Sequence, residues 1–258
     1  MKSKESKFQL RPVLRAAGWM MAIVAFFSVM GASIADIKSK ECRNVYIKVD
    51  HEEGLFFVDD EDVTNSIKNF CEADLKGMPL NGVDFTNMEH KLESNPFIQS
   101  AEIYSSTKGA VHVDVRQREP LVRVVNNSGV SYYLDVNGEK IPTSFKFTAR
   151  VVVATGNIEN TDNPAILDGL MRLCRFIAND EFWKAQFEQI YVKQDGEFEL
   201  VPKLGNHIIR LGSADDLERK FDKLMIFYKE VLKNFDADNY RIINLKYNNQ
   251  IVCTKNSL

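Results

Sequence analysis

Polar and apolar positions change period several times along this chain, and each change predicts an element. From Ala16 to Ala35 twenty residues run without a charge, AAGWMMAIVAFFSVMGASIA. At about 1.5 Å per residue a helix of that length spans the ~30 Å hydrocarbon core of a bilayer. A short polar connector, residues 36–41, follows. Val45 to Val49 then alternates as a half-buried strand does. The acids Asp59 to Asp62 suit a helix start, and Val63, Ile67 and Phe70 supply its apolar face. After the break Lys76-Gly77-Met78-Pro79, Thr86 and Glu89 form a capping box for a helix with Met88 and Leu92 inward, ended by Asn95-Pro96. Ile98 to Tyr104 reads as a strand, Ser105 to Gly109 as a turn, and Val111, Val113 and Val115 as the strand that returns. The order is β-α-α-β-β.

Beyond Pro120 the texture changes. Leu121 to Val125, Tyr132 to Val136 and Val151 to Thr155 read as short strands separated by turns that carry Gly and Asn. Asn163-Pro164 opens a helix whose stripe is Ile166, Leu167, Leu170, Leu173, Cys174 and Ile177. Strands are expected at Gln189–Lys193, Glu197–Val201 and His207–Leu211. Ser213 is placed to cap the longest soluble helix, which carries Leu217, Phe221, Leu224, Met225, Tyr228, Val231, Leu232 and Phe235. Two strands, Tyr240–Tyr247 and Ile251–Lys255, follow. No repeat or low-complexity linker separates the halves.

Charge orients the uncharged run. Lys2, Lys4, Lys7, Arg11 and Arg15 precede it against the single acid Glu5, and positive flanks stay cytoplasmic. The residues after the run are therefore expected outside the cytoplasm. Two readings compete. Ser33-Ile34-Ala35 satisfies the small-x-small requirement of a cleaved signal peptide, whereas the length of the run and Trp19 near its start favour a retained anchor. With the basic tail set aside, a whole-chain net charge of −3 leaves the remainder acidic, which argues against nucleic acid or anionic headgroups as partners.

Catalytic chemistry is hard to find. Cys42, Cys71, Cys174 and Cys253 lie far apart with no C-x-x-C pair, so zinc ribbons and thioredoxin chemistry are disfavoured. Four buried free thiols are the expectation, with Cys42–Cys71 the pair to bridge if any does. Of the four histidines, His51 lacks the second His of a zincin motif, His90 sits in a helix's first turn, and His112 and His207 fall on strands. Ser105-Ser106-Thr107-Lys108 matches S-x-x-K in letters, but it joins two alternating strands instead of opening a helix. No catalytic, metal or cofactor-binding residue is assigned, and a binding or scaffolding role is favoured over an enzyme acting on a small molecule.

Four stretches carry a resemblance. Val111-His-Val-Asp-Val-Arg-Gln-Arg-Glu-Pro-Leu-Val-Arg123 resembles the join between the two domains of the FtsQ/DivIB family of bacterial cell-division proteins. Leu92-Glu-Ser-Asn-Pro-Phe-Ile98 with Ala101-Glu-Ile103 resembles the helix-to-strand passage of that family's POTRA domain. Tyr132-Tyr-Leu-Asp-Val-Asn-Gly-Glu-Lys-Ile-Pro142 is similar to a Leu-Asp-x-x-Gly-x-x-x-Pro pattern. Tyr240 to Tyr247 is similar to a terminal Tyr-x-Asp-Leu-Arg-Tyr strand, with Asn244 in place of Asp and Lys246 in place of Arg.

The resemblance implies an α+β protein: cytoplasmic tail 1–15, transmembrane anchor 16–35, linker 36–41, POTRA domain 42–118, and a mixed, mostly antiparallel β domain 119–258 with two helices. It implies a single-pass inner-membrane scaffold of the divisome, its bulk in the periplasm and without enzymatic activity. Such a protein binds FtsB/FtsL-type coiled-coil partners and links them to the septal cell-wall synthase. The family's partner contacts map to Lys246, Tyr247 and Asn249. A late strand at a sheet edge offers unpaired backbone groups to an incoming strand, which makes that placement physically reasonable. An alternative keeps the POTRA domain but makes the chain part of an export or outer-membrane assembly system. That reading expects many alternating segments of a membrane barrel, for which the chain ends too soon. A secreted hydrolase cleaved after Ala35 is the third reading.

Overall fold

The computed structural model describes residues 19–26, 28, 41–50, 54–158, 164–232 and 239–256. Of the uncharged run, residues 19–26 and 28 are helical, and the rest lies outside the described residues. Among the described residues no helix is long and apolar enough to cross a membrane. The expected linker also lies outside them, except Glu41, which bridges to Pro79.

The chain divides into two compact units. Of the described residues, the first comprises those up to Lys48 with Asp60–Leu92 and Ala101–Val115; the second comprises those within Val49–Asp59, Glu93–Ser100 and from Arg116 onward.

Strands β1 (Asn44–Asp50), β2 (Ile98–Ser105) and β3 (Ala110–Gln117), most of whose residues fall in the first unit, form a sheet in the order β1-β3-β2. The central position of β3 explains its valines. Val111, Val113 and Val115 are buried, whereas the intervening His112 and Asp114 are only partly covered. Helix α1 (Asp60–Cys71) buries Val63 and Ile67, and helix α2 (Phe85–Glu93) buries Met88 and Leu92, the inward faces read from periodicity. The cap of α2 differs from expectation. Asp84, not Thr86, accepts the Asn87 amide, at 3.1 Å, so the helix starts one residue before Thr86. Glu89, freed from a capping box, accepts the Ile103 amide at 2.6 Å and ties α2 to β2. Ser106 and Gly109 form the turn between β2 and β3, the hairpin geometry that removes the S-x-x-K reading.

The second unit holds one sheet of nine strands. They are β4 (Pro120–Val125), β5 (Ser131–Asp135), β6 (Lys140–Pro142), β7 (Val152–Gly156), β8 (Phe187–Val192), β9 (Phe198–Pro202), β10 (Ile208–Gly212), β11 (Tyr240–Asn244) and β12 (Val252–Lys255). Their order is β12-β11-β10-β9-β8-β7-β4-β5-β6. Pairing is parallel at β4–β7, β7–β8 and β10–β11, and antiparallel at the other junctions. The parallel junctions β7–β8 and β10–β11 are those crossed by helices, since a parallel connection needs a long return. Helices α3 (Pro164–Ala178) and α4 (Glu181–Gln186) lie between β7 and β8; α5 (Leu217–Phe227), extended by a π-helical turn at Tyr228–Leu232, lies between β10 and β11. Sheet and helices share a core in which Leu170, Leu173, Phe221 and Leu224 face Val122, Ala154, Ile190 and Leu200.

Two expectations change here. The short helix α4 and strand β6 carry too few residues to show a period, so the described residues of this domain hold three α-helices where two are expected. Ser213 does not cap α5. The helix begins at Leu217 after Asp216 in left-handed conformation, φ 51°, and the Ser213 carbonyl accepts from Lys220 Nζ at 2.7 Å. A buried cation thus takes up the backbone group there, and burial pushes the Lys220 ammonium below its usual range.

Residues 54–59 join the second unit through Gln117. Its Oε1 accepts the Phe57 and Val58 amides at 2.8 and 3.0 Å, and its Nε2 donates to the Leu55 carbonyl. The Phe57 ring stacks on Phe97 and meets Tyr133 edge-on.

Candidate functional site

The nine-stranded sheet has two edges of different character. At one, β6 is three residues long and ends in Pro142, a blunted edge. At the other, β12 has its inner side paired with β11 in the register Ile243 to Cys253 and Asn244 to Val252, and no strand among the described residues pairs with its outer side. Cys253 packs toward the core, while Val252 and Thr254 are exposed. The edge therefore carries backbone donors and acceptors and an exposed apolar side chain.

The sequence reading carries strand 240–247 through all of its terminal motif. Strand β11 stops at Asn244, and Lys246, Tyr247 and Asn249 lie in the turn that leads into the edge strand. All three are exposed there. Asn249 adopts φ 59°, a conformation Asn tolerates better than most residues. Tyr247 is 49% exposed, an aromatic ring displayed at a loop. Asn244, where an acid was expected, still accepts the Lys246 amide through Oδ1 at 3.0 Å, so the amide performs the acceptor role that a carboxylate would.

Helix α5 holds this turn from beneath. Lys223 Nζ donates to the Leu245 carbonyl at 3.1 Å and the Tyr247 carbonyl at 2.7 Å. Arg219 donates to Asn248 Oδ1 at 3.0 Å while pairing with Asp216. Three carbonyls or amides of one surface turn are thus fixed by two cations from one helix face, spaced i and i+4. Partial burial and the neighbouring Arg219 hold the Lys223 ammonium below its usual range. Sequence reasoning missed Lys223 and Arg219 because they lie off the apolar stripe of α5 and read as solvated surface.

Lys246 leaves the turn sideways and pairs with Glu197 on the β8–β9 hairpin. Glu197 was likewise unflagged by the sequence. Its carboxyl is held below the usual range, first by Lys246 and then, against the opposing effect of burial, by Lys193. Lys246, Tyr247 and Asn249 therefore share one turn, yet each is fixed differently: Lys246 by an ion pair, Tyr247 through its backbone, Asn249 by its own left-handed backbone.

The remaining chemistry-bearing residues do not converge. His112 is stacked between Tyr46 and Tyr104, at 5.3 and 5.1 Å, as a cross-strand aromatic row. His207 lies 3.4 Å from the Tyr228 hydroxyl. His51 falls outside the described residues. Among the described residues, no group of three or more His, Cys, Asp and Glu is placed to hold a metal ion. Cys42 and Cys174 are buried, but Cys71 and Cys253 are only half-buried, which corrects the expectation of four buried thiols. Cys71 stands at the last position of α1 and Cys253 on the edge strand, where packing covers one side only.

A family model described as FtsQ/DivIB, C-terminal related, matches residues 119–254, more than half of the chain. A second, described as a POTRA-like domain, matches residues 40–116. The chain is also similar to a cell division protein FtsQ from Rhodothermus marinus, 25% identical over an alignment of 185 residues, with 68% of this chain and 67% of that one covered.

Proposed function

The chain belongs to the FtsQ/DivIB family and so has a role in cell division, and from that premise we propose that it is a non-enzymatic scaffold of the divisome. It is held in the inner membrane by residues 16–35, with its N-terminus cytoplasmic and its bulk periplasmic. Its partners are single-span coiled-coil proteins of the FtsB/FtsL type, and through them it bears on the septal cell-wall synthase. The observation that carries this reading is the outer side of β12, with which no strand among the described residues pairs, beside a turn whose backbone is held by Lys223 and whose Asn248 side chain is held by Arg219. A partner strand added to that edge gains main-chain hydrogen bonds without first ordering the turn. Tyr247 supplies an aromatic contact and Lys246 a charged one, with Asn249 setting the course of the turn between them. A shared membrane anchor raises the effective concentration of such partners, so modest edge contacts suffice.

Depletion in the native cell tests the role: filamentation and mid-cell accumulation of a tagged copy are expected. Normal cell length with a diffuse tagged copy overturns it. At the residue level, Tyr247→Ala and Lys246→Glu weaken capture of the coiled-coil partner while the chain stays folded. Unchanged capture by both variants places the binding edge elsewhere.

A further inference from the structure

The cation of the proposed binding turn already has a carboxylate. Lys246 Nζ pairs with Glu197 Oε1, and Glu197 Oε2 lies 3.2 Å from Lys193 Nζ, which also holds Asp195 at 2.8 Å. Two lysines and two acids alternate, so the charge of Lys246 is balanced within this cluster. This arrangement has a built path. Gly212 has φ 78°, and a Cβ on it would stand 2.9 Å from Lys246 Cγ. The missing side chain is what lets the Lys246 stem cross the end of β10 toward the hairpin. Both ends of the pair stay accessible: Lys246 is 42% and Glu197 27% exposed.

We infer that Glu197 is an internal competitor at this site, a carboxylate that an acidic side chain of the incoming partner displaces from Lys246. The inference rests on the reading of the β11–β12 turn as the partner site. Its physical basis is exchange. When Lys246 turns to the partner, Glu197 keeps Lys193, so no carboxylate is stranded and one ion pair replaces another. Because Glu197 retains Lys193, a partner with an acid at that position keeps a net gain from Lys246, smaller than an uncontested lysine would give and lost in Lys246→Met. A partner with an apolar or basic residue there leaves the internal pair closed and gains nothing from Lys246. Discrimination arises from this difference in affinity more than from total attraction. The cations around Glu197 keep it ionised at neutral pH, so the competitor is present whenever the partner is.

The test is a binding titration at low salt, with the full chain in lipid nanodiscs and the ectodomain of the organism's own FtsB-type partner as probe. Glu197→Gln is expected to bind about two- to five-fold tighter, the range of one exposed ion pair. Glu197→Asp, which keeps the hairpin's charge but withdraws it from Lys246, gives a smaller gain and serves if the Gln variant misfolds. Lys246→Met binds more weakly, and adding Glu197→Gln to Lys246→Met restores nothing. If both Glu197 variants bind like the wild type or worse while Lys246→Met weakens binding, the competitor is overturned and the site stands. If Lys246→Met binds as tightly as the wild type, the site itself is overturned and the competitor with it.

Discussion

Arg118 Nη1 lies 2.6 Å from Asp135 Oδ2, and the Asp135 side chain is only 2% exposed. The pair joins two stretches that the sequence presents separately, the Arg-Glu-Pro turn before β4 and the Leu-Asp-x-x-Gly turn after β5. Asp135 also accepts the Asn137 and Glu139 amides through Oδ1, at 2.8 and 2.9 Å, so one carboxylate organises a turn and neutralises a guanidinium. Asp135→Ala leaves a partly buried cation and two turn amides uncompensated. The expected loss is about 3 kcal/mol of stability in the second unit. Denaturant unfolding followed by tryptophan fluorescence, which reports on Trp183 in the core, measures it. A loss under about 1 kcal/mol would mean that water replaces the carboxylate at little cost.

Gln117 is fully buried and serves two amides and one carbonyl. Gln117→Leu preserves bulk but strands the Phe57 and Val58 amides. Unfolding should become easier by about 3 kcal/mol, from penalties of about 1–3 kcal/mol for each buried donor. Hydrogen exchange adds a local readout: the Phe57 and Val58 amides should lose protection well before the β8–β9 ladder does.

The Glu197 ion pairs give a pH signature. The carboxyl is depressed in the folded chain relative to its ordinary 4.5, chiefly by Lys246. A depressed acid contributes stability that is complete above the unfolded value and disappears as pH falls through the folded one. Wild type should therefore melt above Glu197→Gln at neutral pH, with the two curves converging once the pH is well below 4.5. A difference that persists into strong acid would assign the effect to packing and not to charge.

Thiol reactivity should follow burial. Cys174 is 1% exposed on the inner face of α3, and burial pushes its thiol far above the ordinary range. Alkylation of the native chain at mildly alkaline pH is expected at Cys71 and Cys253 first, with Cys174 reacting only on unfolding. Peptide mass spectrometry over a time course resolves the order. Early labelling of Cys174 would show that α3 opens readily from the sheet.

Periodicity made some elements legible and left others out, for identifiable reasons. The valines of β3 and the inward faces of α1, α2 and α3 were readable because a buried face repeats over several turns or pleats. Strand β6 and helix α4 were not, because three and six residues hold no full repeat. The start of α2 was misplaced because Asp84 and Thr86 are both good caps, and only the fold decides which side chain reaches an amide. The resemblance points to the β11–β12 turn, but its support by Lys223 and the pairing of Lys246 with Glu197 carry no local sign in the sequence.

By itself the sequence determined what depends on neighbours along the chain: the elements long enough to show a period, their buried faces, the change of texture near Pro120, and the family. It left undecided what depends on residues remote in the chain. The order of nine strands, the parallel pairing of β10 with β11, and the exposure of β12 as an edge follow from where helical crossovers return, which no local pattern encodes. For the same reason only the tertiary structure decided that Lys246 meets Glu197 and Arg118 meets Asp135. Each ion pair needs two charges within a few ångströms, and a surface lysine or acid carries no local sign of its partner.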